Sequence, residues 1–375
     1  MQKIKFRFKG DHVDSFAQLG TLRAVFVDLT NCCNLRCKYC FNYRSLQAPP
    51  SHLALDLIEK ALRSKLAASV RDWFLSGGEP ALYDRLPESL ALFREHGLGP
   101  KIATNGTLLS PEIIDMWAGL GVRSLQFSLD TLDPEVHVDL NGGGKRGHET
   151  LLRNLEYAVQ SPLRVVVSSV LTKPNKREIK NIMAFCFESG VDSYTLYPNV
   201  PSERLNQELI VPFPELLELT DELFSAYSAL SPSKVLDVTI PCFAKSSTYA
   251  KWKDRLALRL HYCAAAQYAL KITSDGRVSA CICQDSDPFI IGDLRRDGLD
   301  DIWISEKARA FRSLYREIPE CRACPESPVC RGGCRNNASL FGSNGLRSLD
   351  PYCRYFKSRE ESFDPTVPPS IDRTD

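Results

Sequence analysis

No stretch of this 375-residue chain stays apolar for long enough to span a bilayer, so a membrane-spanning helix is not expected. Charge of either sign is not in excess: 47 Lys and Arg face 46 Asp and Glu, a formal net charge of +1. Such a balance gives no electrostatic reason to expect nucleic acid or an anionic membrane as a partner. The opening run, Met1-Gln2-Lys3-Ile4-Lys5-Phe6-Arg7-Phe8-Lys9, lacks the continuous apolar segment of a secretory signal. Its alternation of basic and apolar residues reads instead as an edge strand in an extension over 1–20, and a cytoplasmic protein is expected. Histidine is scarce, six in all, and no two stand at metal-ligand spacing, so packing or surface roles are expected.

Cysteine is abundant instead, fourteen in all. Without an export signal thiols stay reduced, so so dense a set points to metal binding rather than disulfides. The distribution agrees. Four lie at 32–40, one is Cys186, and nine fall between Cys242 and Cys353. Cys186 belongs to an apolar helical pattern with Ile182, Met183, Phe185 and Phe187, which predicts a packing role, as is also expected for Cys32.

From residue 21 to 235 short β-rich runs alternate with helical patterns. Strands are expected at Ala24–Leu29, Asp72–Ser76, Lys101–Thr104, Ser124–Leu129, Arg164–Leu171 and Ser193–Tyr197. Helices are expected near 53–68, 86–96, 111–119, 148–160, 176–189 and 214–229. Six such units imply an α/β fold, a parallel sheet covered by helices, with functional residues in the loops after the strands. A boundary is expected near 231–241. Residues 236–357 then form a loop-rich domain with turn signals such as Ser274-Asp275-Gly276, and 358–375 read as a mobile tail.

Directly after the first strand comes Cys33-Asn-Leu-Arg-Cys37-Lys-Tyr-Cys40. Three thiolates from one loop can hold three irons of a cubane and leave the fourth open to an outside ligand. A structural zinc site is the alternative, though such sites usually draw their cysteines from two knuckles.

This loop, with Tyr39 before its last cysteine, resembles the signature of the radical S-adenosylmethionine (SAM) superfamily. The resemblance implies a partial (β/α)6 TIM-type barrel and a [4Fe–4S] cluster whose open iron chelates SAM. It also implies reductive cleavage of SAM to a 5′-deoxyadenosyl radical by an external one-electron reductant of flavodoxin or ferredoxin type. Gly77-Gly78-Glu79-Pro80 resembles the family's Gly-Gly-Glu-Pro element, its glycines letting backbone approach the ligand and its carboxylate holding an amino group. Asn105 after the third strand, and Ser128 and Asp130 after the fourth, resemble further SAM-contacting edges. One departure is His137-Val-Asp139-Leu-Asn141, where many relatives carry His-Asp-x-x-Arg; Lys145, Arg146 or Arg153 are candidate substitutes for that Arg.

Further on, Cys263-x12-Gly276-x4-Cys281, Cys321-x2-Cys324-x5-Cys330-x3-Cys334 and Cys353 resemble the seven-cysteine pattern of the SPASM domain. That resemblance implies two auxiliary [4Fe–4S] clusters, three in all. Cys321, Cys324, Cys330 and Cys353 would hold the outer one; Cys334 would turn back to join Cys263 and Cys281 on the inner one. Cys242, Cys283 or an open iron completes the inner site, and a zinc ribbon of Cys321, Cys324, Cys330 and Cys334 would leave three cysteines unexplained. The inner cluster could accept an electron from a substrate radical. Cys283 is a candidate hydrogen donor, and Asp285, Asp287, Tyr262 and Tyr268 are candidate bases. Sulfatase-maturing relatives carry a carboxylate just after the second inner-cluster cysteine, where this chain has Ile282.

The implied function is a peptide-modifying oxidoreductase forming a cross-link, thioether or oxidised residue. The short segment before Cys33 predicts that a leader peptide would be recognised by a separate protein. A sugar or aminocyclitol dehydrogenase or epimerase is the alternative. An electron carrier or zinc scaffold would leave Gly77–Pro80 without purpose.

Overall fold

The computed structural model describes residues 21–199, 207–230, 234–240, 246–256, 263–325 and 327–353. The expectations for 1–20, Cys242, Tyr262 and 358–375 lie outside the described residues.

Seven strands follow in chain order: β1 (Ala24–Thr30), β2 (Asp72–Gly77), β3 (Lys101–Thr104), β4 (Ser124–Ser128), β5 (Arg164–Leu171), β6 (Ser193–Pro198) and β7 (Val235–Val238). Each pairs in parallel with the next. The connections carry helices, among them Leu86–Glu95, Pro111–Gly119, Pro134–Asn141, Lys145–Gln160, Ile179–Glu188 and Phe213–Leu230. Their local logic is plain. Lys145–Gln160 buries His148, Leu151, Asn154, Leu155 and Ala158, one stripe at three- and four-residue spacing. Pro134–Asn141 starts with proline in its first turn, and the Asp133 carboxylate accepts from Glu135 N at 2.8 Å. That helix escapes a reading by apolar period because its buried residues are His137, Leu140 and Asn141.

The sheet does not stop at the expected boundary. β8 (Ala269–Ile272) pairs in parallel with β1, and β9 (Arg277–Ser279) and β10 (Ile290–Asp293) continue antiparallel. The order is β10-β9-β8-β1-β2-β3-β4-β5-β6-β7, a mixed ten-stranded sheet forming the partial barrel. β8 to β10 thus fix the C-terminal cysteine region against the barrel's first strand.

Alternation divides each strand between two faces. Val25, Val27 and Leu29 of β1, Leu75 of β2, Ile102 of β3 and Leu125 and Phe127 of β4 are buried against the helices. The opposite, inner face carries Phe26 and Asp28, Phe74 and Ser76, Gln126 and Ser128, and Lys271 of β8. Most of these are only half-buried, so the inner face is less tightly covered than the outer one. Among the described residues no helix is long and apolar enough to cross a membrane.

Candidate functional site

The loop 31–40 leaves β1 at the rim and is held from three directions. From β2, Gly78 N donates to Thr30 O at 2.7 Å and Glu79 N to Cys32 O at 2.8 Å. The glycines are needed for this approach. A β-carbon on Gly77 would stand 2.2 Å from Thr30 O, and one on Gly78 would stand 1.9 Å from Cys32 O. The two glycines therefore let β2 approach the cysteine loop closely. Cys32 is part of this joint, consistent with a structural role.

Glu79 is 1% exposed. Its carboxylate accepts from Thr104 Oγ1 at 2.7 Å, Asn105 N at 2.8 Å and Ala81 N at 3.2 Å. Burial pushes its pKa up, opposed by these donors. Within the protein, then, Glu79 fixes the end of β3. Asn105 carries that constraint onward, donating to Asn34 Oδ1 at 2.9 Å, and Asn34 donates to Thr107 Oγ1 at 2.8 Å.

The third support is the helix Pro134–Asn141. Arg36 N donates to Asn141 O at 2.9 Å and Lys38 N to Leu140 O at 2.8 Å. The Asn141 carboxamide donates to Cys37 Sγ at 3.4 Å and to Tyr39 Oη at 2.7 Å, with Asp130 Oδ2 at 3.3 Å. Tyr39 in turn donates to Asp130, whose other oxygen accepts from Val170 N at 2.8 Å. Tyr39 and Asp130 are thus joined to each other. Burial followed by the Asp130 charge raises the Tyr39 pKa well above its ordinary value, keeping the phenol a donor. Asn141 occupies the place of the family's Arg, and its Oδ1 is buried without a hydrogen-bond partner. Of the candidate substitutes, Lys145 pairs with Glu135 and Arg153 reaches Thr150, and these two and Arg146 are all exposed. Behind the helix the rings of His137 and His148 stand 4.9 Å apart, a buried packing pair.

The C-terminal thiols fall into two groups. Cys321 and Cys353 share a small core with Ile318 and Leu349, against which Cys330 packs. Burial raises the Cys321 thiol to about 11, Arg335 opposing and Cys353, Cys330 and Cys324 adding. Cys334 is raised by burial and then by Cys263, Asp350 and Cys281, and Cys263 by burial and then Cys281. Mutual charge effects thus group Cys263, Cys281 and Cys334, and Cys321 with Cys324, Cys330 and Cys353. Cys283 joins the first group, its N–H lying 3.4 Å from Cys281 Sγ. No disulfide links the thirteen described cysteines. Unlinked thiols grouped in threes and fours are the donor type that iron–sulfur clusters take, so both sets, and Cys33, Cys37 and Cys40, suit such clusters. Cys186 is fully buried in the main core.

The candidate bases separate. Asp285 is 9% exposed and its charge acts on Lys271, whereas Asp287 lies exposed. Lys271 itself, 1% exposed, was not foreseen. It stands on the inner face of β8 beside Asp28, at 3.4 Å. A lysine inside the apolar run Ala269-Leu-Lys-Ile272 was the available signal.

Residues 27–186 match the Radical SAM superfamily, and residues 263–325 match SPASM, an iron–sulfur cluster-binding domain. Cys330, Cys334 and Cys353 lie beyond the second match. An AdoMet-dependent heme synthase from Methanosarcina barkeri is 26% identical over 352 residues, covering 90% of this chain and 98% of that protein. A PqqA peptide cyclase from Rhizobium meliloti is 25% identical over 339 residues, covering 88% and 86%. Among solved structures, Streptococcus suis SuiB bound to S-adenosylmethionine aligns with a TM-score of 0.71 at 18% identity, over 88% of this chain and 76% of that one. Native anSMEcpe with bound AdoMet and the Cp18Cys peptide gives 0.69 at 18% identity, over 89% and 94%. At these identities the structural likeness speaks for the fold.

Proposed function

We propose that this chain, which matches the Radical SAM superfamily over residues 27–186 and SPASM over 263–325, is a radical SAM oxidoreductase that modifies a peptide. The observation that carries this reading is the placement of two thiol groups on neighbouring strands of one sheet. The loop with Cys33, Cys37 and Cys40 follows β1, and Cys281, whose charge acts on Cys263 and Cys334, follows β9, with β8 between the two strands. When bound, SAM and the first cluster supply a carbon-centred radical, and the inner auxiliary cluster supplies an electron acceptor.

The chain's own residues would do the rest. Cys33, Cys37 and Cys40 hold the first cluster, while Tyr39, Asp130 and Asn141 fix their loop. Gly77, Gly78 and Glu79 join that loop to β3, and Asn105 and Ser128 line the rim where SAM would lie. Cys321, Cys324, Cys330 and Cys353 hold the outer auxiliary cluster. The inner face, walled by Phe26 and Phe74 with rings 4.6 Å apart, positions the target carbon and limits water. The Asp285 carboxylate is the better placed acceptor for a leaving proton, since Asp287 is at the surface. Cys283, beside Cys281, is either a fourth ligand or a hydrogen donor.

The peptide substrate is supported by the PqqA peptide cyclase relative and by SuiB, which has also been solved bound to the precursor peptide SuiA. The heme synthase relative favours a second reading, oxidation of a small molecule. Anaerobic reconstitution of the full chain should yield roughly twelve irons if all three thiol sets hold four-iron clusters. Offered a precursor peptide encoded near its own gene, the enzyme should form 5′-deoxyadenosine and a peptide lighter by hydrogen. Turnover on a small molecule with none on any such peptide would overturn the peptide reading in favour of the second.

A further inference from the structure

Lys271 lies where solvent does not reach, between the two thiol groups. Its strand, β8, separates β1, which leads into the loop 31–40, from β9, which leads to Cys281. On the β1 side its ammonium stands 3.4 Å from Asp28 Oδ2 and donates to Asn42 Oδ1 at 3.1 Å. Asn42, just past Cys40, donates to Gly77 O at 3.0 Å, and Asp28 Oδ1 accepts from the Ser76 hydroxyl at 3.1 Å. The ring of Phe41 lies 5.8 Å from the ammonium. On the β9 side Lys271 is in register with Ser279, whose hydroxyl accepts from Cys281 N at 3.2 Å.

Burial works against a charge on Lys271. Asp28, Asp285, Cys283 and Cys281 outweigh it, so the ammonium stays protonated above its ordinary range. Asp28 and Lys271 act on Cys40 with opposite signs. At Cys281 the Lys271 charge is felt directly, and Asp28 is one strand further away. By strand order the positive member, on β8 beside β9, lies nearer the auxiliary thiols than Asp28 on β1 does, and the buried acid Asp285 also acts on Lys271.

We propose that Lys271 is a positioning residue that ties the first cysteine loop to β8 and supplies the buried positive charge that favours an added electron at the inner auxiliary site. Asp28 keeps the same charge from acting equally on the first cluster. Charge at such depth is poorly screened by water or salt, so one residue can shift a reduction potential measurably. This rests on the reading above that Cys263, Cys281 and Cys334 hold a cluster. The competing account is a buried ion pair that serves folding alone.

Redox titration of the reconstituted full chain, followed by electron paramagnetic resonance, separates the two. A background with Cys33, Cys37 and Cys40 changed to Ala isolates the auxiliary signals. Lys271→Met leaves Asp28 as a lone buried charge, so the uncharged, similarly shaped double variant Asp28→Asn/Lys271→Met is measured beside it. Both should shift the inner auxiliary midpoint to lower potential, and Lys271→Arg should restore most of that shift. In a chain with the first cluster intact, its midpoint should move less in the double variant than in Lys271→Met. An unmoved auxiliary midpoint with full iron in the double variant overturns the inference and leaves the proposed function standing. Loss of auxiliary iron from the double variant makes the pair a folding element and likewise overturns it. Wild-type protein with no auxiliary cluster signal overturns the proposed function itself.

Discussion

The two cysteine regions solve one problem by different means. Around Cys33, Cys37 and Cys40 the backbone is satisfied by neighbouring strands and a helix, and the buried acids Glu79 and Asp130 act with neutral side chains, among them Asn34, Asn105, Tyr39 and Asn141, to hold those elements together. Around Cys330 to Cys353 regular structure is sparser, and buried charged side chains bind the loop backbone directly. Arg335, 3% exposed, donates to Leu346 O and Ser348 O, both at 2.9 Å, and to Gly332 O. Asp350 accepts from Cys334 N and Tyr352 N. Loops have the same obligation to pair buried carbonyls and amides as sheets do. Where the ladder is missing, one guanidinium with its five donors is an economical replacement.

The sharpest way to break this comparison is at the thiols. Cys37→Ala should abolish release of 5′-deoxyadenosine while leaving the C-terminal iron in place, because the regions have separate supports. Iron analysis beside the activity assay checks both halves. Loss of all iron would mean that the two regions assemble as one unit.

Next in size is Arg335→Leu. It strands three carbonyls, each costing about 1–3 kcal/mol when left unpaired, so the C-terminal region should lose on the order of 3 kcal/mol or more. Urea unfolding should show the loss, and auxiliary iron should fall while the first cluster persists. A stability within experimental error of wild type would remove Arg335 as the organiser of that region.

A third test uses pH and strikes the first region alone. Burial, then the neighbouring His148, pushes His137 down to about 4 from its ordinary 6.5. The folded state therefore holds fewer protons than the unfolded chain between those values, so stability should fall as pH drops from 6.5 towards 4. The shift corresponds to about 3 kcal/mol at most. The weakness reaches the cysteine loop through Leu140 and Asn141 on the same helix. His137→Gln should flatten the acid side of the stability profile; an unchanged profile would mean that His137 is not the group responsible.

How far the sequence could be read follows the same division. The six expected strands lie within a residue or so of those found, because each sets an apolar face against the helices. The boundary was harder. Nothing local in Ala269–Ile272 tells that it pairs with Ala24–Val27, and such distant pairing is invisible to periodicity. At the site, Cys33, Cys37 and Cys40 were legible because one short loop carries all three. Asn141 was legible only as a departure, and the Asp28–Lys271 pair not at all, since its members sit on strands far apart in the chain. The Glu79 carboxylate proves to be engaged with Thr104, Asn105 and Ala81.

The smallest expected effect concerns Lys145, a candidate to replace the family's Arg. It pairs with Glu135 at an exposed position, with side chains 56% and 68% accessible. Exposed pairs of this kind contribute little, because water screens both charges and the long side chains lose freedom in meeting. Asn141, by contrast, already stands against Cys37, Tyr39 and Asp130 with one buried oxygen unpaired. Lys145→Ala should therefore leave SAM affinity within about twofold of wild type, since no desolvated charge contact is lost, whereas Asn141→Leu should weaken it by removing a buried polar contact worth about tenfold. Equilibrium binding to the reconstituted protein, with 5′-deoxyadenosine release as a second readout, compares the two directly. A tenfold loss in Lys145→Ala beside an unchanged Asn141→Leu would show that SAM binding uses the surface lysine and does not depend on Asn141.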